Sequence, residues 1–265
     1  MMVSIDQIAY LERSNYAATA LIAQVTPDLE VCLKDEVIIT CSHHFPLPDA
    51  THACLLQTTS GEVDNLIEAV IDYFKTKSLP TTIFVSPACR PADLEERLLK
   101  RGFMKLGQEA WLAFEQLLNF DTPPLYPRAT VEQVTGDDVL IFVQVMMTAF
   151  EIPEDYMSYL LPLTQPSLQL SNVCHYLAKV EDQPVGSCSL VCIDGVATLG
   201  GVGVIPAYRR EKVALNLVLR AFQEAQKRGI DTIILQTAAG APLERALRIG
   251  GFKRVFTRTA YSLYE

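Results

Sequence analysis

Apolar positions along this chain of 265 residues follow two periods, three-to-four and two, and the stretches carrying them alternate. Val63, Leu66, Ile67, Val70, Ile71 and Phe74 share one helical face, which predicts an amphipathic helix over 63–77 stopped at Leu79-Pro80. Ala214, Leu217, Val218, Ala221, Phe222 and Ala225 form a second stripe, in a long helix predicted over 209–227 and closed by Gly229. Further helices are predicted over 5–24, with a break near Ser14-Asn15, and over 92–100, 138–150, 156–163 and 242–248. Alternating or continuous apolar runs predict a hairpin of 30–34 with 37–41, then strands at 54–58 and 81–85 and one or two within 104–114. Strands follow at 174–180, 185–193, 196–204, 232–237, 252–255 and 259–264, with Asp194-Gly195 as a two-residue hairpin turn. Helices interleaved with strands predict an α/β fold on a mixed, α+β type of sheet.

The pattern repeats. Thr82-Ile83-Phe84-Val85 corresponds to Thr232-Ile233-Ile234-Leu235, and Gly102-Phe103 to Gly251-Phe252, at a near-constant offset of about 150 residues. Both halves end as helix, strand, short helix, Gly-Phe, strands. Between them lies Asp121-Thr122-Pro123-Pro124-Leu125-Tyr126-Pro127, whose prolines predict a stiff linker. Expected domains are therefore 1–120 and 128–265, with 121–127 as the linker.

Composition narrows the function. The apolar fraction of 49% supports a large core, and no run is long enough for a membrane-spanning helix. A net charge of −9 argues against nucleic acid as a partner. No secretory signal is evident at the N-terminus. Seven scattered cysteines lack paired or zinc-type spacing, which suits reduced thiols, mostly buried, in the cytoplasm, and no metal site.

Against that acidic background, Leu199–Ala214 stands apart. A glycine-rich apolar strand ends at Pro206, and Arg209, Arg210 and Lys212 follow just before the long helix. A helix start presents unpaired N–H groups and the positive end of its dipole, which favours a phosphate. The corresponding turn of the first half, Thr58-Thr59-Ser60-Gly61-Glu62-Val63-Asp64, holds two carboxylates instead, which suit capping of the helix N–H groups and repel a pyrophosphate.

These features resemble the GNAT N-acetyltransferase superfamily over Arg128–Tyr264. The resemblance rests on the hairpin strands, Val202-Gly203-Val204, Pro206-x-Tyr208-Arg209, the long helix, the Thr232–Thr237 strand and Gly251-Phe252. The family signature Gln/Arg-x-x-Gly-x-Gly/Ala falls on Arg209, Arg210, Glu211, Lys212, Val213 and Ala214, with Lys212 at the middle glycine. A lysine there is expected to keep a helical backbone, its side chain turned aside or onto the phosphate. The resemblance implies two tandem GNAT-like domains, the first degenerate and without coenzyme A. It implies acetyl-CoA as cosubstrate in the second, held by Val202, Gly203, Val204, residues 209–214 and Thr237. A β-bulge is expected near Gly200-Gly201 and Gly203. The implied activity is acetyl transfer to a primary amine, on a small molecule or peptide, by a monomer or homodimer.

The chemistry of transfer is less defined. The position of the family's general-acid tyrosine is Leu247, and Leu98 in the first half. Glu151, Glu154 and Tyr261 are the candidate catalytic residues, and each also reads structurally: the carboxylates, with Asp155, as a solvated loop, Tyr261 as strand packing. His175 reads as a structural or exposed histidine, the His43-His44 loop as surface, and Cys192 has no adjacent base. A non-catalytic acyl-CoA-binding or interaction module fits the same residues, as does an α/β scaffold for an unrelated ligand.

Overall fold

The structure is a computed structural model that describes residues 3–264. The first elements are α1 (Ile5–Ala23), β1 (Leu29–Leu33), β2 (Ile38–Ser42), β3 (His52–Cys54), α2 (Val63–Thr76), β4 (Thr81–Val85), α3 (Leu94–Lys100) and β5 (Met104–Phe114). Next come β6 (Thr130–Gln133), α4 (Val139–Phe150), α5 (Met157–Thr164), β7 (Val173–Val180), β8 (Gln183–Ile193) and β9 (Val196–Val204). The chain closes with α6 (Val213–Lys227), β10 (Thr232–Ala238), α7 (Pro242–Ile249) and β11 (Lys253–Leu263). The fold is mixed α/β, as the alternation of periods predicts.

Several elements depart from expectation for identifiable reasons. Helix α1 is unbroken: the Ser14 hydroxyl donates back to the Tyr10 carbonyl at 2.9 Å, and Asn15 accepts from Gln236 at 2.8 Å, so its polar middle is satisfied. The two predicted C-terminal strands are one, β11, with irregularities between Arg254 and Phe256 and between Thr259 and Tyr261. Strand β6 was not anticipated; it is only Thr130–Gln133, too short for a clear alternation.

By packing, the chain forms two units, Met1–Ala113 with Gln236–Glu265, and Phe114–Leu235. The expected boundary assigned everything after 128 to the second domain. In the structure the described residues from Gln236 onward belong to the first unit, because β11 lies between β4 and β5 and hydrogen-bonds to both, with Tyr261 opposite Ile83 and Thr257 opposite Ala110. The strand order of the first unit is β1-β2-β3-β4-β11-β5. Its β3 and β4 are parallel, and β1-β2, β2-β3 and both edges of β11 pair antiparallel. Val63, Ile67, Val70 and Phe74 of α2 are fully buried against this sheet with Ile83, Val85 and Tyr261, each such side chain contributing on the order of 1.5–3 kcal/mol.

In the second unit the order is β10-β9-β8-β7-β6, again with one parallel pair, β9 with β10. Helix α6 buries Val213, Leu217, Val218, Ala221, Phe222 and Ala225. Its one fully buried polar residue, Asn216, donates to the carbonyls of Tyr126 and Ala129 and accepts from the Tyr126 N–H, at 2.9–3.0 Å. Gln226 likewise holds the carbonyls of Leu117 and Phe120 and the Thr122 hydroxyl. The proline-rich segment expected as a linker is therefore an ordered strap along α6.

Candidate functional site

Strand β9 sets the geometry of the candidate site. It pairs with β10 only from Val196–Thr232 to Thr198–Ile234, so the rest of its length, through Val204, leaves the β10-facing edge outside that ladder. On its other edge, Ser187 opposes Gly203 and Ser189 opposes Gly200. One residue of β8 thus faces Gly201 and Val202, and Gly201 takes a φ of 60°, a bulge where the glycine pattern placed it. Gly203 is required by packing: a Cβ there would stand 2.7 Å from a Phe150 ring carbon and 2.8 Å from the Ala149 Cβ. The end of α4 therefore lies directly on the end of β9.

After β9, a short 3-10 turn, Pro206–Tyr208, leads to Arg209–Lys212, and α6 begins only at Val213. The helix was expected from Arg209. Instead Arg210 has φ 74° and Lys212 has φ 62° and ψ 11°, both left-handed. The expectation of a helical Lys212 is thus incorrect. The backbone takes a conformation that glycine adopts freely, at a cost of about 1–2 kcal/mol for a residue with a Cβ. The lysine side chain does turn aside: its ammonium stands 4.0 Å over the Tyr126 ring. Glu211 is paired with Arg128 at 2.8 Å, which offsets the one negative charge of the turn. Arg209 donates to the Val204 carbonyl at 3.2 Å and the Ala149 carbonyl at 3.0 Å, with Glu151 3.6 Å away. Arg210 is exposed and makes no hydrogen bond or ion pair among the described residues.

The remaining sequence-predicted residues separate. Val213 is 1% exposed and packs on Gly186, so only its backbone faces the turn. Ala214 follows it on α6, while Thr237 lies in β10 beyond Leu235, in the first unit. Glu151, at the left-handed end of α4, is exposed beside Arg209, and Glu154 and Asp155 are exposed in the next 3-10 turn. Tyr261 is 1% exposed within the apolar core of the first unit, so its candidacy as a catalytic phenol gives way to packing. Leu247 and Leu98 are buried as well.

His175 is buried between Ser167 at 2.8 Å and Ser189 at 2.7 Å, and burial lowers its pKa to about 4, so it is a neutral structural residue. Cys192 is buried too, and burial raises its thiol pKa to about 11. Six of the seven cysteines are buried, and all are free. Among the described residues, no helix is long and apolar enough to cross a membrane, and no group of His, Cys, Asp or Glu side chains could hold a metal ion. Sequence reasoning missed Asn216 and the Ala149–Phe150 contact. A polar residue inside an apolar stripe, and a glycine in a strand opposite a helix end, were the available signals.

Comparison with known proteins agrees with this geometry. Residues 142–248 match the model of the acetyltransferase (GNAT) family. No curated protein matches. Among solved structures, a GCN5-related N-acetyltransferase from Kribbella flavida is 17% identical, with 93% of each chain covered and a TM-score of 0.69. A GCN5-related N-acetyltransferase from Sphaerobacter thermophilus is 17% identical over 88% of this chain and 81% of its own, with a TM-score of 0.62. A tandem GNAT protein from the clavulanic acid biosynthesis pathway is 11% identical over 86% of this chain and 78% of its own, with a TM-score of 0.61. At such identities the likeness is one of fold, and the fold is GNAT-like.

Proposed function

We propose that the second unit transfers an acetyl group from acetyl-CoA to the primary amine of a small-molecule or peptide acceptor, by direct attack in a ternary complex. The observation that carries this reading is the parting of β9 from β10 beyond Thr198–Ile234, with a cationic turn at the end of the freed strand. The β9 edge beyond the ladder, at Val202 and Gly203, offers backbone donors and acceptors to the pantetheine amides, next to the Val204 carbonyl that already accepts from Arg209. Arg210, Lys212 and the N–H groups at the start of α6 suit the pyrophosphate. In the transfer, the amine nitrogen bonds to the thioester carbon, the carbon–sulfur bond breaks, and coenzyme A leaves as thiolate. A backbone N–H near the bulge would stabilise the oxyanion between these events.

No protonating side chain stands at Leu247, so the thiolate takes its proton from water, and Glu151 or Glu154 is the candidate base for the amine. The buried Leu247 also favours a second reading, a module that binds acyl-CoA without turnover. Calorimetry with acetyl-CoA tests the shared claim: binding tighter than about millimolar is expected, and Arg210→Ala should weaken it by about 1.5–3 kcal/mol. Thiol release across a panel of amines separates the two readings, since the module predicts silence on every amine.

A further inference from the structure

Arg209 occupies the first position of the signature, where its charge invites assignment to a phosphate. Its contacts point elsewhere. The guanidinium Nε donates to the carbonyl of Val204, the last residue of β9, and Nη2 donates to the carbonyl of Ala149, one residue before the end of α4. Carbonyls in the last turn of a helix lack intrahelical partners and lie at the negative end of the dipole, so a cation is favoured there. The planar guanidinium serves two carbonyls on separate elements with one rigid edge. Glu151, 3.6 Å from the same Nη2, adds a charge partner. The two elements joined in this way are already pressed together at Gly203.

We infer that Arg209 is a positioning residue that clamps the C-terminal end of α4 to the end of β9, leaving phosphate recognition to Arg210, Lys212 and the backbone. The role in transfer rests on the acyltransferase reading; the clamp itself does not. Phe150, 49% exposed, and Glu151 sit at the clamped end of α4, beside the strand proposed to hold the thioester. The clamp fixes their distance from that strand. Losing it misplaces the acceptor side of the site while the pyrophosphate side stays intact.

The test compares Arg209→Ala, Arg209→Lys and Arg210→Ala by hydrogen exchange of residues 147–152, by acetyl-CoA calorimetry, and by kinetics on the amine with the fastest turnover. Both Arg209 variants should speed exchange in 147–152, because lysine lacks the rigid fork that fixes the two carbonyls relative to each other. The acetyl-CoA Kd should stay within about threefold, and kcat should fall by about tenfold or more. Arg210→Ala should weaken acetyl-CoA binding by about tenfold or more with unchanged exchange. A loss of acetyl-CoA affinity in Arg209→Ala that Arg209→Lys restores, with exchange unchanged, overturns the clamp and makes Arg209 a phosphate ligand. Should the wild-type protein take up no acetyl-CoA, the acyltransferase reading fails. Exchange in the two Arg209 variants then decides the clamp alone, faster exchange supporting it and unchanged exchange overturning it.

Discussion

The two parallel strand pairs, β3 with β4 and β9 with β10, begin alike and end differently. After Cys54–Phe84 the first pair stays joined: Gln57 bridges Arg90, the Arg90 N–H donates to the Leu56 carbonyl at 2.7 Å, and the Gln57 amide reaches the Ala88 carbonyl. Arg13 closes over the junction by donating to the Gln57 side chain at 3.1 Å. The turn that follows spends its charge internally. Hydroxyls of Thr58 and Thr59 donate to Glu62 and lower its pKa, and Asp64 binds Arg97 and Arg101 at 2.8 Å each. Those carboxylates were expected to cap the helix; they serve side chains instead. The second pair leaves a strand edge open and its turn keeps Arg210 exposed. A β–turn–α layout thus leaves a backbone edge and charge available to a ligand only where the fold does not consume them.

The largest test of this contrast is Arg258 of the first unit. It is 4% exposed, donates to Tyr16 and Glu109 at 2.7 Å each, stands 3.7 Å from Glu12, and lies 4.1 Å over the Phe84 ring. Burial raises the pKa of Glu12, which also accepts from Ser86 at 2.6 Å. Arg258→Met strands the Glu12 carboxylate in the core, takes the partner of the half-buried Glu109, and should cost about 3–5 kcal/mol in chemical denaturation. Arg210→Ala, at the surface, should stay within about 0.5 kcal/mol of wild type. A destabilisation of similar size in both would break the contrast between charge used by the fold and charge left for a ligand.

Both units bury a neutral histidine, and pH reads both. Burial is the main cause that lowers His52 to about 3 and His175 to about 4. Unfolded histidine titrates near 6.5, so the unfolded chain binds protons first as the pH falls. The stability that each neutral ring contributes is complete above about pH 6.5. It is lost toward pH 4 for His175 and pH 3 for His52, about 3 kcal/mol in the first case. His175→Gln, which can still meet Ser167 and Ser189, should flatten the denaturation midpoint between pH 6.5 and 4. An unchanged slope would mean that carboxylates govern the acid limb.

How much of this was legible depends on range. The α2 and α6 stripes, β4 and β9 follow from local period, and the bulge from glycine density, because these signals lie within a few residues of what they determine. The place of β11 between β4 and β5 was not legible: Thr259–Leu263 has the same alternation whichever strands it joins. Nor did composition reveal Arg258 with Glu12, since charged residues far apart in sequence read as surface until their partners are known. Lys212 misled for a third reason. Lysine favours helices, and its left-handed backbone is imposed by the turn leading from β9. The charge of the 209–212 turn was thus readable, while its conformation and the carbonyl contacts of Arg209 were not.

Gly203 separates packing from ligand binding inside the second unit. With Phe150 and Ala149 within 3 Å of the missing Cβ, Gly203→Ala should overpack the contact and cost about 1–3 kcal/mol, measured by chemical denaturation. Gly200→Ala, where a Cβ would meet nothing within 4 Å, is the matched control and should cost less. Equal costs would mean that backbone freedom, and not the approach of α4, is what Gly203 provides.

Lys212 gives the smallest expected change and the finest distinction. Lys212→Gly relieves a left-handed strain of about 1–2 kcal/mol. It gives up a cation–π contact of about 0.5–1 kcal/mol and adds backbone entropy to the unfolded chain. These terms nearly cancel, so the melting temperature should barely move, whereas Lys212→Val, β-branched in the same conformation, should lower it. The coenzyme side separates backbone from ammonium. If the turn binds pyrophosphate through its backbone, glycine and alanine at 212 should both preserve acetyl-CoA affinity despite the lost charge. If both bind equally weakly, the ammonium is the ligand, and it must leave the Tyr126 ring to reach the phosphate.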